Sequence, residues 1–359
     1  MKYFLTLQAI LVINIGLANN KDTIEQKTLQ VVPIPNIGAS PETGFFYGGN
    51  VAGLFKLRKS DSVSRTSNAN IEVLKTQLNQ IYLGIEHNLF LNSEKYMMRG
   101  TNELFEFELN YYGIGPDADN QFEAFTFKQL LLDNNFFLKI KGKSYFGIGY
   151  RYHFWKTQKY IQNGFLEQDN VLGFKNSISS GITLTYLLDS RDNIVNTYEG
   201  SLISASITAN SRWLGGSFNH PAANLEVAHF LPTFTKRHVL ALHGVGSFNF
   251  QQVPFSEYNM LGGENIKRGF YNGRFRDKQF VAAQLEYRIP LYKRVGLVAF
   301  SSIGGVAPKL NSFSFSNMQI AGGGGLRYTL SKKERFNFRI DYGLSSESGF
   351  LYIGVGEAF

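Results

Sequence analysis

Residues Leu261–Leu291 read LGGENIKRGFYNGRFRDKQFVAAQLEYRIPL, and the second half of this stretch decides the fold. Val281, Ala283, Leu285, Tyr287 and Ile289 fall on alternate positions, with Gln284, Glu286 and Arg288 between them. A period of two places each set on one face of a sheet. The first half is glycine-rich and cationic, with Lys267, Arg268, Arg274 and Arg276 set among Phe270, Tyr271 and Phe275. A solvated loop needs neither so many cations nor so many aromatics. The segment is therefore a nucleic-acid patch, a ligand clamp, or something tucked inside a structure.

The same alternation recurs along the chain. Ile178, Ile182, Leu184, Tyr186 and Leu188 oppose Ser177, Ser179, Gly181, Thr183 and Thr185. Ile203, Ala205, Ile207 and Ala209 oppose Ser204, Ser206, Thr208 and Asn210. Phe336, Phe338, Ile340, Tyr342 and Leu344 oppose Asn337, Arg339, Asp341 and Ser345. A soluble sandwich also alternates, but its polar face looks into water and its strands are shorter. Charged residues in mid-strand, with aromatics near strand ends, are the apolar-out, polar-in signature of a transmembrane barrel. Only a helix or a closed barrel satisfies every backbone group in lipid.

Composition agrees. The 359 residues include 32 Phe, 19 Tyr and 36 Gly, a strand-forming mixture without the long apolar runs of a helical membrane protein. The one apolar run is N-terminal. MKYFLTLQAILVINIGLANN has Lys2 ahead of it and the small residues Gly16 and Ala18 near its end. It reads as a secretory signal peptide over 1–18, with an N-terminal core helix as the alternative. The absence of cysteine excludes disulfides, thiolate metal sites and a lipidated cysteine anchor. The net charge of +8 comes without a basic run of five or more, which argues against nucleic acid as a partner. In an exported chain it suits anionic lipid or lipopolysaccharide of a bacterial outer membrane.

The expected domain order is the signal peptide, a short periplasmic segment over 19–43 with Pro33, Pro35 and Pro41, and an antiparallel barrel over 44–359. The strands tally at about sixteen, an even number as bacterial barrels require. They include 44–58 as the first, 121–131 and 132–141 as a separate pair, and 350–359 as the last. The short links at 292–294 and 331–335 are expected on the periplasmic side. Longer ones near 58–67, 157–175, 252–276 and 307–317 are expected outside. Leu351, Ile353, Val355 and Phe359 form an outward face on the last strand, with Glu357 at the rim. A terminal aromatic such as Phe359 is what an outer-membrane assembly machine reads in its clients.

With these residues in place, the opening stretch resembles the sixth external loop and following strand of the BamA/TamA superfamily, the bacterial surface-antigen barrels. In that family an Arg-Gly-Phe or Arg-Gly-Tyr triplet folds back into the lumen, and Arg268, Gly269 and Phe270 match it. TYLLDSRDNIVNTYEG is similar to the family's turn motif through Asp189, Arg191 and Asp192, with Gly200 later. GGGGLRYTLSKKERFNFRIDYG and the terminal YIGVGEAF, with YYGIGPDAD at 111–119, are similar to POTRA-less relatives of Bacteroidetes type. The resemblance covers roughly 41–359. It implies a barrel with an inward-folded external loop, acting in protein assembly, insertion or translocation. Its partners would be client outer-membrane proteins and separate periplasmic subunits. The chain departs from the family at Ser302, where many relatives carry an aspartate after the YRIPL strand.

Glu286, facing inward by the alternation, is the expected partner of an inserted Arg268. A guanidinium in a partly desolvated interior favours a carboxylate and an aromatic face. Gly269 permits close backbone approach and Phe270 can wedge against the wall. The alternative leaves Arg268 on a surface loop, paired with Glu264 or Asp277. The Asp189–Arg191–Asp192 turn reads as a structural charge network or as paired carboxylates for acid–base or metal work. No catalytic constellation, metal-ligand spacing or cofactor motif is found: the six histidines are scattered, and AGGGGLRY opens no helix. The function classes left are an assembly or translocation barrel and a passive barrel plugged by its loop. For the first, the resemblance implies a weak seam between first and last strands, and the glycines of 44–58 facing Gly354 and Gly356 are compatible with it.

Overall fold

The computed structural model describes residues 29–57, 64–235, 237–332 and 335–359. The expected signal peptide and the first part of the 19–43 segment lie outside the described residues. The strands are β1 (Leu29–Ser40), β2 (Gly44–Phe55), β3 (Ser67–Thr76), β4 (Ile81–Leu91), β5 (Tyr96–Tyr111) and β6 (Glu123–Lys141). Next come β7 (Ser144–Lys159), β8 (Asn176–Asp189), β9 (Gly200–Asn210), β10 (His220–Pro232), β11 (Val239–Asn249) and β12 (Asn259–Leu261). The last six are β13 (Phe275–Asp277), β14 (Gln279–Tyr292), β15 (Val295–Ala307), β16 (Gln319–Ser331), β17 (Phe336–Ser345) and β18 (Gly349–Val355).

All but β12 and β13 form one closed antiparallel barrel of sixteen strands, each beside its neighbour in sequence, with β1 meeting β18. β12 and β13 pair with each other as a small hairpin sheet in the long segment between β11 and β14. Ile182, Leu184, Ile207, Leu285, Tyr342 and Leu351 stand exposed on the outer wall, while Thr183, Thr208, Gln284, Glu286 and Asp341 are buried inside. This inversion of the soluble pattern is what hydrocarbon solvent demands.

The core therefore lies inside the barrel. One aromatic cluster, near one end, gathers Phe105, Phe127, Trp155 and Phe255, with Phe127 and Trp155 stacked at 3.8 Å. A second surrounds Phe270, and a third, near the other end, gathers Phe230, Val239 and Leu187 with Phe359 against them. We call the end carrying the 250–278 segment the loop end and the opposite one the turn end.

The strand total matches the expectation, yet two of its parts do not. The segment over 121–141 is one long strand, β6, whose Asp133-Asn134-Asn135 is mid-strand and not a turn. There Asn134 Nδ2 donates to Asn102 Oδ1 at 2.8 Å and Asn135 Nδ2 to Asp133 Oδ1 at 2.7 Å, so polar side chains on the wall look like a link in sequence. Conversely, the proline-bearing stretch expected as a short periplasmic segment, a tether or plug-like strand, contains β1, so the barrel begins before residue 44. The strand over 44–58 is thus second in the wall and does not sit at the seam. The extra strand also reverses direction locally: β2 ends and β3 begins at the turn end, not at the outer end where the 58–67 link was expected.

Candidate functional site: the inserted loop and the seam

The segment between β11 and β14 enters the lumen, where Arg268 and Arg274 meet carboxylates of the wall and its ends. Arg268 is fully enclosed: its Nη2 donates to Glu286 Oε2 on β14 and its Nη1 to Asp341 Oδ2 on β17, both at 2.6 Å. Its guanidinium lies 3.6 Å over the Phe300 ring from β15. Two carboxylates and an aromatic face offset the desolvation that a buried guanidinium would otherwise suffer. The second carboxylate on Arg268 comes from Asp341 of β17, not from position 302. Ser302 instead faces Lys267, whose Nζ donates to Ser302 O at 3.0 Å and Gln319 O at 2.7 Å. Burial, with no carboxylate among these partners, pushes the Lys267 ammonium down to about 7.

The contacts of Arg268 extend into a ring of alternating charge. Glu286 Oε1 accepts from Arg288 Nε at 2.8 Å, and Asp341 Oδ1 from Arg327 Nη1 at 2.5 Å. Arg327 Nε reaches Glu357 Oε2 at 2.7 Å, and Arg288 Nε lies 4.0 Å from the same carboxylate. Three arginines and three carboxylates thus close a circuit between the loop tip and the C-terminal tail. Arg339 adds a spur, donating to Glu264 Oε2 at 2.8 Å. Glu264 and Asp277, the alternative partners for Arg268, are therefore not its contacts; Asp277 accepts from the backbone N–H of Lys278.

Gly269 has φ +113°, and a Cβ there would meet the Leu344 backbone at 2.9 Å. Its N–H donates to Tyr352 Oη at 3.1 Å, and its carbonyl accepts from Ser348 Oγ at 2.9 Å. The loop thus lies directly on β17 and β18. Phe270 is fully buried against Leu261, Phe275, Phe280 and Val306. Arg274 forks onto Glu347 with contacts of 2.6 and 3.1 Å, while Arg276 sits among the rings of Phe255, Tyr111 and Phe125. Burial brings the Arg276 guanidinium down to about 10. The N–H of Asn272 donates to Glu42, in the turn after β1, at 2.7 Å.

A second anchor has no counterpart in the sequence reading. Glu257, at the start of the loop, accepts from Arg151 Nη1 at 2.8 Å and lies 2.6 Å from His153 Nδ1, both on β7. Burial alone would raise its carboxyl, but Arg151 and then His153 pull it well below the usual carboxylate range. The available signal was RYHFW, where Arg151 and His153 alternate inward between apolar residues.

At the turn end, Arg191 donates through Nε and Nη2 to the two oxygens of Asp189, each at 2.9 Å. Asp192 accepts from Arg335 Nη1 at 2.5 Å. Every carboxylate oxygen so described faces a cation or a backbone donor. Among the described residues no group of His, Cys, Asp and Glu is arranged to hold a metal ion.

The last strand stops at Val355, and Gly356, with φ +81°, turns the chain inward. Phe359 is therefore not on the outward face: its ring stacks on His243 at 4.7 Å, and its main-chain oxygen accepts from Arg288 Nη2 at 2.9 Å. Glu357 likewise leaves the rim for the charge ring. The wall pays locally for this turn, since β1 and β18 share one register pair, Ala39 with Ile353. By contrast, β5 and β6 share sixteen, from Tyr96–Leu138 to Tyr111–Glu123. Pro33 and Pro35 pair in register with Val51 and Gly49 of β2. Proline has no N–H, so these are non-hydrogen-bonded pairs, and the odd residues of β1 direct their backbone groups to the seam.

A closed sixteen-stranded wall, apolar outside and holding its own loop inside, is an outer-membrane β-barrel. The Omp85 superfamily domain matches residues 67–359, and the chain belongs to that superfamily. BamA from Haemophilus ducreyi lacking POTRA domains 1-3 is similar at a TM-score of 0.63 and 13% identity, over 92% of this chain and 70% of that one. CdiB from Acinetobacter baumannii is similar at 0.58 and 12%, over 92% of this chain and 60% of that one. CdiB from Escherichia coli is similar at 0.57 and 10%, over 93% and 64%. The chain thus spans less than two thirds of either CdiB, and at these identities the likeness is one of fold. Among curated protein sequences none matches this chain.

Proposed function

We propose that this barrel takes part in the assembly, insertion or translocation of other outer-membrane proteins, together with separate periplasmic subunits. The observation that carries the reading is the seam: one register pair, with the end of β18 drawn inward at Gly356. A wall joined by so little ladder opens at low cost beside the membrane, where a client strand can pair with the freed edges. Its test is a seam lock. Ala39→Cys with Ile353→Cys, oxidised in cells depending on this copy, is expected to lower the amounts of other barrel proteins, with recovery on reduction. Unchanged amounts in the locked state would falsify the reading.

A passive, loop-plugged barrel is the second reading, favoured by Pro33 and Pro35. They remove two donors from the free edge of β1, a device that protects edges against pairing. Under this reading the seam lock changes nothing, and deleting 262–276 turns a closed barrel into a conducting one in planar bilayers.

A further inference from the structure

At the turn end a cavity of about 290 Å³ opens into the lumen mouth, beneath the 190–199 turn and between the ends of β14, β15, β16 and β17. Among the described residues five cationic side chains line it, Arg237, Arg288, Arg327, Lys332 and Arg335, against one carboxylate, Glu357. They divide into two layers. Arg288 and Arg327 form a buried floor and are committed to Glu286, Asp341 and Glu357. At the rim Arg335 holds Asp192, while Arg237 and Lys332 are exposed and meet no carboxylate among the described residues. The adjoining turn adds exposed Lys293 and Arg294.

We propose that this mouth cavity is a docking site for an acidic, extended protein segment presented from the periplasm. The proposal deepens the assembly reading, because it supplies the surface on which a separate periplasmic subunit would sit. It rests on that reading for the turn end facing the periplasm. Charge complementarity identifies the occupant: two rim cations with no carboxylate partner among the described residues stand over a floor whose own charges are already matched. Carboxylates entering the mouth would meet Arg237 and Lys332 without disturbing the ring below. The floor residues face the lumen, so the cavity opens inside the wall, away from the belt where lipid headgroups contact the outer surface. Anionic phospholipid is the competing occupant.

The experiment uses the full chain in phosphatidylcholine nanodiscs and fluorescein-labelled hexaglutamate as the probe, read by anisotropy. Wild type is expected to bind saturably and to weaken as salt rises from about 50 to about 200 mM. Arg237→Glu with Lys332→Glu should lose about tenfold or more in affinity. The control, Lys141→Glu with Lys143→Glu, lies at the end of β6 and in the turn that follows it, eight strands round the barrel from β16, and should leave affinity unchanged. Heat-modifiable gel mobility verifies that each variant is folded. Equal loss in both double variants, no loss in either, or saturable binding to phosphatidylglycerol vesicles alone overturns the proposal. A failed seam-lock test with intact hexaglutamate binding removes the assembly reading and leaves the cavity.

Discussion

Two of the ties that hold the loop work by opposite logic. Arg268 is a cation brought to carboxylates on β14 and β17; Glu257 is a carboxylate brought to cations on β7. The surroundings differ as much as the signs. The contacts of Arg268 are sealed, with its side chain and both carboxylates fully out of solvent. Glu257 borders a polar cavity of about 50 Å³ lined by Gln129, Asn210, Asn224 and Ser247. Such a space admits a few ordered waters, and unpartnered atoms on Gln129, His153 and Asn210 give them groups to bind. A charge left behind at the first site has nowhere to go; at the second, water can reach it.

The largest expected effect is therefore at Arg268. Arg268→Ala leaves the ring with one excess buried negative charge and removes the cover from Phe300, at a cost of about 3–5 kcal/mol. Protease should then cut within 262–276 in the purified folded barrel, and heat-modifiable mobility should shift to lower temperature. Unchanged resistance would show that Phe270 and the glycine contacts hold the loop without the charge.

Glu257→Ala should cost less, about 2 kcal/mol, because Arg151 can be solvated from the adjoining cavity. Its wild-type contribution depends on pH. The Glu257 carboxyl lies below its ordinary value of 4.5, so this stabilisation is present above pH 4.5 and is lost as pH falls through the depressed value. Protease accessibility near 250–258 should rise in acid for wild type and be pH-independent there for the variant. If Glu257→Ala opens 262–276 as fully as Arg268→Ala, the two anchors are one cooperative unit and the contrast between them fails.

The anchors also differ in how they can be read from sequence. Glu286 is within reach because it alternates on the strand that directly follows the loop. Asp341 is not: it belongs to a strand 73 residues from Arg268, and only closure of the wall brings β17 beside the loop tip. Arg151 and His153 stand more than a hundred residues before Glu257 and share no motif with it. The fold follows the same division. Alternation exposes strands such as β8 and β14, whose faces are cleanly split. It fails at β6, where Asp133-Asn134-Asn135 imitates a turn, and at β1, where Pro33 and Pro35 imitate a linker. These two misreadings offset one another in the strand total while reversing the direction of the strands between them. Barrel parity is a global property, and a single hidden strand changes which end every intervening link occupies.

The smallest expected effect separates the Arg268 contacts from their neighbour. Lys267 donates to backbone carbonyls of Ser302 on β15 and Gln319 on β16, with no ion pair among the described residues, and burial pushes its ammonium down to about 7. Its ordinary value is 10.5, so between about pH 7 and 10.5 the released loop binds more protons than the inserted one. Insertion must then strengthen as pH rises through this window, by at most about 1.4 kcal/mol per pH unit. Rates of cleavage within 262–276 should fall from pH 7 to pH 9 in wild type. In Lys267→Met the dependence should flatten, since the variant keeps the apolar stem beside Phe270 and discards the titrating group. A slope that survives the substitution would assign the pH response to another group and leave Lys267 as a spacer next to Arg268.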